Sequence, residues 1–442
     1  MNHSTENHNC GSRSHFDRRT ILKMAGLSGL SWLTPLATQL ARADEAQPRA
    51  KAKSLIVLWM EGAPSQLETF DPHPGSDIAA GSKARKTNVK GIQLGEGMEQ
   101  VAELMDSISL VRSVTSKEGD HERAIYNVKT GYRPDPTLVH PAVGSVICHE
   151  LPDEHGKIVD IPRHISILPG SQPGRGGYLG DPFDAFKVFD PINPIPDVRK
   201  RVGDERQRNR IANLKFADEQ FLKGRNNNRV IGDTLKNSNL EAALMMMSSE
   251  QLEAFDVSKV PKKERLQFGD TPFGRGCLAA IRLVEKGVRC VELTLNGWDT
   301  HANNHALQAG RINILDPAYA ALIRELKKRD LLDSTLVVCG GEFGRTPWVN
   351  PVGGRDHWPH GFTIALAGGG VKGGRVIGET SPKPEQGSKN PTKFITDPHP
   401  IEDIHATIFK AMGIEYGKEL DTPVGRPMKI CQGKPIEDLL RS

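Results

Sequence analysis

Leu55-Ile56-Val57-Leu58-Trp59-Met60 is a continuous apolar run, closed by Glu61-Gly62-Ala63-Pro64. An uninterrupted run of this length, ended by glycine and proline, predicts a buried strand rather than a half-exposed one. Its carboxyl end delivers Glu61. In parallel α/β sheets ligands gather at that edge, so the carboxylate is placed where a bound ion would need it. A solvated loop glutamate is the plain alternative.

Similar runs recur along the chain. Ser109–Arg112, Arg163–Leu168, Val288–Leu295, Thr335–Gly340 and Phe362–Ala367 read as strands. Between them lie helical patterns at Met98–Met105, Ala142–Leu151, Phe273–Glu285, Ile312–Lys328 and Ile401–Met412. The helix–strand rhythm predicts one α/β domain over residues 44–442. Residues 182–265 break the rhythm. Pro191, Pro194 and Pro196 lead into charged amphipathic patterns over Asp204–Gly224 and Ser249–Phe255, which read as an inserted helical cap. The Met245-Met246-Met247 triplet there suits helix packing. In the last helix, His405 shares the spacing of Ile401, Ile404 and Ile408 and is expected to face the core.

The strands end in chemistry-bearing loops. Gly119-Asp120-His121 follows the second run and starts a helix, where backbone N–H groups favour an anionic ligand. Trp298-Asp299-Thr300-His301 follows Val288–Leu295. Gly341-Glu342-Phe343-Gly344-Arg345 follows Thr335–Gly340, and Gly354-Arg355-Asp356-His357-Trp358-Pro359-His360 comes next. Glu61, Asp299, His301, Glu342, Asp356 and His357 make four carboxylates and two imidazoles. That donor set predicts a divalent metal ion (zinc, manganese or calcium; one or two). Two ions about 4 Å apart could clamp both oxygens of an in-line displacement. Arg345 or Arg355 could neutralise a phosphate or sulfate oxygen, unless they serve only in ion pairs.

The chain has 442 residues, a formal charge of +4, 25% charged and 37% hydrophobic residues. This supports a sizeable core, and the scattered positive charge excludes nucleic acid as a default partner. Asp17-Arg18-Arg19-Thr20-Ile21-Leu22-Lys23 precedes a glycine-broken apolar segment that ends in Ala41-Arg42-Ala43. The pattern predicts a twin-arginine signal peptide over residues 1–43, recognised by the twin-arginine export machinery, and a periplasmic or otherwise exported mature chain. No later run reaches the ~20 apolar residues of a transmembrane helix. Past the leader, Cys148, Cys277, Cys290, Cys339 and Cys431 are odd in number, without C-x-x-C spacing, and suggest small core residues rather than disulfides.

The leader, Leu58–Ser65, Gly119-Asp120-His121, Trp298–His301, Gly341–Pro347 and Gly354–Pro359 resemble the family catalogued as domain of unknown function 1501. They are similar to the sulfatase-like side of the alkaline phosphatase superfamily. The resemblance covers nearly the whole mature chain. It implies a doubly wound, mostly parallel sheet, two metal ions and hydrolysis of sulfate or phosphate esters, on small molecules or polysaccharides. It sets Glu61 at the first-strand metal position, Asp299 with His301 at another metal pair, and His357, or else His360, at the last metal histidine. Glu342-Phe343-Gly344 stands where the superfamily has Asp-His-Gly, which removes one imidazole.

The nucleophile departs further. Thr130-Gly131 matches the closure of the helix after the sulfatase nucleophile, yet ten places before Gly131 stands His121. No Cys-x-Pro-x-Arg occurs in the chain, and its one Ser-x-Pro-x-Arg, Ser171-Gln172-Pro173-Gly174-Arg175, lies after Thr130-Gly131 rather than ten places before it. A hydrolase would have to use metal-bound water, His121 as nucleophile or base, or a loop hydroxyl such as Ser65. The competing expectation is a non-catalytic descendant that binds glycans or a protein partner.

Overall fold

The computed structural model describes residues 52–153, 158–196, 198, 200–223 and 243–441. The expected leader over residues 1–43 and the loop Arg225–Arg229 lie outside these residues. A nine-stranded sheet holds β1 (Ser54–Glu61), β2 (Ile108–Thr115), β3 (His164–Ile167), β4 (Phe186–Val188), β5 (Cys290–Asn296), β6 (Thr335–Gly340), β7 (Phe362–Gly368), β8 (Val376–Ile377) and β9 (His399–Pro400). Across the sheet the order is β8-β2-β7-β6-β1-β5-β3-β4, with β9 also paired to β2. β1 is central and parallel to both β5 and β6. Only β7 is reversed, antiparallel to β6 and β2.

The apolar run of β1 divides between two cores, as alternating side chains must. Ile56, Leu58 and Met60 pack with α4 (Pro272–Glu285) and α5 (Asn304–Lys328). Leu55 and Trp59 pack on the other face with α1 (His121–Thr130), α2 (Val143–Glu150) and α6 (Ile401–Ala411). Each such side chain, fully buried, contributes about 1.5–3 kcal/mol. Helices on both faces of a mostly parallel sheet make this a doubly wound α/β fold. The five described cysteines are buried and free, and Met246 packs into the first core. His405 is buried on α6 with Nε2 against Val128 O at 2.8 Å, and burial pushes its pKa down to about 4.

Several boundaries differ from the sequence expectation. The Met98–Met105 pattern yields only a short helix at Glu99–Ala102, and α5 starts at Asn304. The segment 182–265 carries α3 (Asp204–Lys223) but also β4, an edge strand of the main sheet. Among the described residues, no helix is long and apolar enough to cross a membrane.

Candidate metal centre

Because β1, β2, β5 and β6 point one way, their carboxyl ends share one edge of the sheet. The reversed β7 starts at that edge, so the preceding loop 354–361 arrives there too. Glycines let these segments meet. Gly62 has φ +102, and a Cβ there would lie 2.5 Å from Asp299 N. A Cβ on Gly354 would lie 1.9 Å from His301 O. Neither position tolerates a side chain without moving backbone.

Three imidazoles converge on Asp299. His121, the first residue of α1, donates from Nδ1 to Glu342 Oε1 at 2.7 Å. His301 donates from Nδ1 to Asp356 Oδ1 at 2.8 Å, and His357 from Nδ1 to Gly119 O at 2.7 Å. Each acceptor fixes the ring and leaves its Nε2 as the free nitrogen, the usual arrangement of metal-ligating histidines. His301 Nε2 lies 3.1 Å and His357 Nε2 3.6 Å from Asp299 Oδ1, while His121 Nε2 lies 3.4 Å from Oδ2. The Nε2 atoms of His301 and His357 are 3.0 Å apart. Tetrahedral bonds of about 2.0–2.1 Å set neighbouring donors about 3.3 Å apart, so these spacings fit an ion. A contact this short between two Nε2 atoms requires either a shared proton or a cation between them. Donor atoms of His121, Asp299 and His357 also lie within 4.8 Å of one another.

The surroundings are built to hold Asp299 charged. Arg345 is fully buried and donates to Asp299 Oδ1 at 2.7 Å, to Ala63 O at 2.9 Å and to Gly62 O. Burial raises the Asp299 pKa, but the Arg345 hydrogen bond and charge outweigh it and hold the carboxyl below its ordinary value. The hydrogen bond to Glu342 raises the His121 pKa, whereas burial lowers that of His357. Phe343, fully buried, lies under the rings, with centroids 5.0 Å from His121 and 4.5 Å from His357. It floors the site from the place where an imidazole had been missed.

The expected residues therefore separate. Asp299, His301 and His357 meet. Glu342 and Asp356 instead orient His121 and His301, and Glu342 keeps Oε2 buried without a partner. His121, read from sequence as nucleophile or base, stands with the ligand-like imidazoles. Glu61 Oε1 accepts from Ser171 N–H at 2.9 Å, while its Oε2, against Gly170, is buried without a partner. Arg345 is enclosed by backbone carbonyls and Asp299 rather than open to a substrate oxygen. Arg355, also fully buried, is bound by Glu68 Oε1 at 3.0 Å, Pro347 O at 2.6 Å and Ile78 O at 2.8 Å. Ser65 is fully buried and His360 stacks edge-on against Trp358. Sequence reasoning missed Asn350, whose Nδ2 donates to His301 O at 2.9 Å and Asp356 Oδ1 at 3.3 Å. It also missed the carbonyl of Gly119. Their roles depend on backbone placement, for which no sequence motif exists.

A doubly wound α/β protein with imidazoles and a carboxylate gathered at the carboxyl edge of its strands is a candidate metalloprotein. The chain belongs to the family described as protein of unknown function (DUF1501), matched over residues 52–440. No curated protein matches it. Among solved structures it is similar to the PsFucS1 sulfatase from Pseudoalteromonas sp., at 11% identity over 88% of this chain and 72% of that one, with a TM-score of 0.38. It is also similar to the alkaline phosphatase from the Antarctic bacterium TAB5, at 14% identity over 82% and 99% of the two chains, TM-score 0.34. The lipoteichoic acid synthase LtaP from Listeria monocytogenes shares 10% identity over 84% and 74%, TM-score 0.35. The strand order, not these likenesses, defines the fold.

Proposed function

We propose that this chain is an exported hydrolase of sulfate or phosphate esters that depends on a divalent metal ion and lacks a sulfatase-type nucleophile. The observation that carries it is the convergence of three Nε2 atoms on Asp299, with every Nδ1 committed to an acceptor. Three imidazoles and one carboxylate suit zinc or manganese better than calcium, which prefers oxygen donors. Once bound, such an ion supplies Lewis acidity and a water of lowered pKa. The protein's own residues do the rest. Arg345 keeps Asp299 ionised, Asp356 and Gly119 O hold two rings in place, and Glu342 holds a proton on His121 Nδ1. The ester class follows from the resemblance of the motifs to the sulfatase-like side of the superfamily, and export from the twin-arginine run.

One observation favours a second reading, a non-catalytic binder. Among the described residues, the hydroxyls nearest in sequence to the site are committed or enclosed: Thr300 Oγ1 donates to Asn304 Oδ1 at 2.6 Å, and Ser65 is fully buried. The test is turnover of 4-nitrophenyl sulfate, phosphate and phosphodiester by zinc- or manganese-loaded protein. Hydrolysis that disappears on chelation and in Asp299→Asn supports the hydrolase. Metal uptake without turnover of any ester would leave the binder.

A further inference from the structure

A second feature lies farther along α1. A pocket of about 560 Å³ runs between this helix, the loop 171–175 and the edge strand β4. Its size falls in the range of small-molecule sites. It begins beside the metal cluster: Ser171 N–H binds Glu61, and Gln172 Nε2 donates to Glu122 O, next to His121. At 1.5 Å per helical residue, Lys129 lies about 12 Å down α1 from His121.

The lining is mixed in a particular way. Lys129, Arg175 and Lys187 are cationic, and Asp184 is the one acid, with Oδ1 accepting from Gly176 N–H at 2.6 Å. Lys129 is buried, its Nζ donating to Gln172 O at 2.7 Å and to Glu292 Oε2 at 3.1 Å. Arg175 and Lys187 are exposed and have no ion pair among the described residues. Tyr126 and His140 add ring surfaces. His140 is 3% exposed and stacks on Tyr132 at 4.2 Å, yet its Nε2 has no partner. Unpaired cations would recognise an oxyanion, and the Tyr126 ring would pack against an apolar sugar face.

We propose that this pocket binds an acidic saccharide, a sugar bearing sulfate or carboxylate, one or two residues away from the group presented to the metal cluster. The assignment rests on the hydrolase reading for its direction, but the pocket can be tested without turnover. Isothermal titration calorimetry of the full chain at low ionic strength would compare maltotetraose, sulfated maltotetraose and tetragalacturonate. At least one charged sugar should bind, maltotetraose should not, and Arg175→Ala with Lys187→Ala should weaken binding by about tenfold or more. Both side chains are exposed, so the double variant should fold. The charged sugar that binds identifies the oxyanion. Charged-sugar binding by the wild type that is weakened in the double variant, without ester turnover, would sink the hydrolase but keep the pocket. No binding by the wild type, equal binding of maltotetraose, or unchanged affinity in the double variant would overturn the proposal.

Discussion

Two histidine–carboxylate groups lie on the same sheet and look alike in composition. At the carboxyl edge, Asp299 is ringed by His121, His301 and His357. Inside the sheet's face, Glu292 is fully enclosed and meets Lys129 Nζ at 3.1 Å, His164 Nε2 at 3.4 Å and Gly174 N–H at 3.1 Å. Glu292 is satisfied by the protein itself. Burial pushes its pKa up, but Lys129 and His164 outweigh that and hold it down at about 2. Around Asp299 the outer nitrogens are satisfied and the inner ones are not. The inward atoms of one group are paired within the protein, and those of the other crowd one another around Asp299. Composition alone does not separate a structural ion pair from a binding site; the direction of the unmade bonds does.

The largest effect should come from the enclosed group. Glu292→Ala leaves Lys129 buried without its counter-charge and should cost about 3–5 kcal/mol, read as a fall in thermal or urea midpoint. A loss under about 1 kcal/mol would mean that water reaches Lys129 and that the contrast is overstated. The same group sets part of the acid limb. A carboxylate whose pKa is lower folded than unfolded contributes stability above its unfolded value, and loses it as pH falls through the folded value. For Glu292 that window runs from 4.5 down to about 2. In Glu292→Ala the fall in stability across that window should be shallower than in the wild type.

Next in size is Asp356→Asn, which weakens the acceptor that orients His301 without removing a proposed ligand. Metal affinity should drop by about 10–100-fold, measured by competition with a chelating dye. An unchanged affinity would place His301 outside the centre. The smallest effect belongs to Glu61→Gln. One of its carboxylate oxygens is taken by Ser171 N–H, so metal affinity should change by less than about twofold. A loss as large as that of Asp356→Asn would return Glu61 to the ligand set that its position at the end of β1 had suggested.

Glu61 also shows where sequence reasoning ends. Its place after an apolar run was legible, because a buried strand announces itself over several residues. The direction of its side chain was not, since it is decided by Gly170 and Ser171 more than a hundred residues away. Asp299, His301 and His357 were legible because each closes or borders a strand or turn with recognisable punctuation. His121 was seen as a lone histidine at a helix start. Its membership in the centre depends on β2 lying next to the reversed β7, a pairing that no local period encodes. The same holds for β4, β8 and β9, edge strands of two or three residues that are too short to show alternation. Arg345 and Arg355 looked like anion binders in sequence because burial of a guanidinium under backbone carbonyls leaves no local signature.

The most direct test of the account is the metal content of the purified, folded protein, by elemental analysis of the wild type and Asp299→Asn side by side. Near-stoichiometric zinc or manganese is expected in the wild type, and its loss in a variant that remains folded by circular dichroism. A wild type that holds no metal after incubation with either ion, or a variant that retains the same amount, would contradict it.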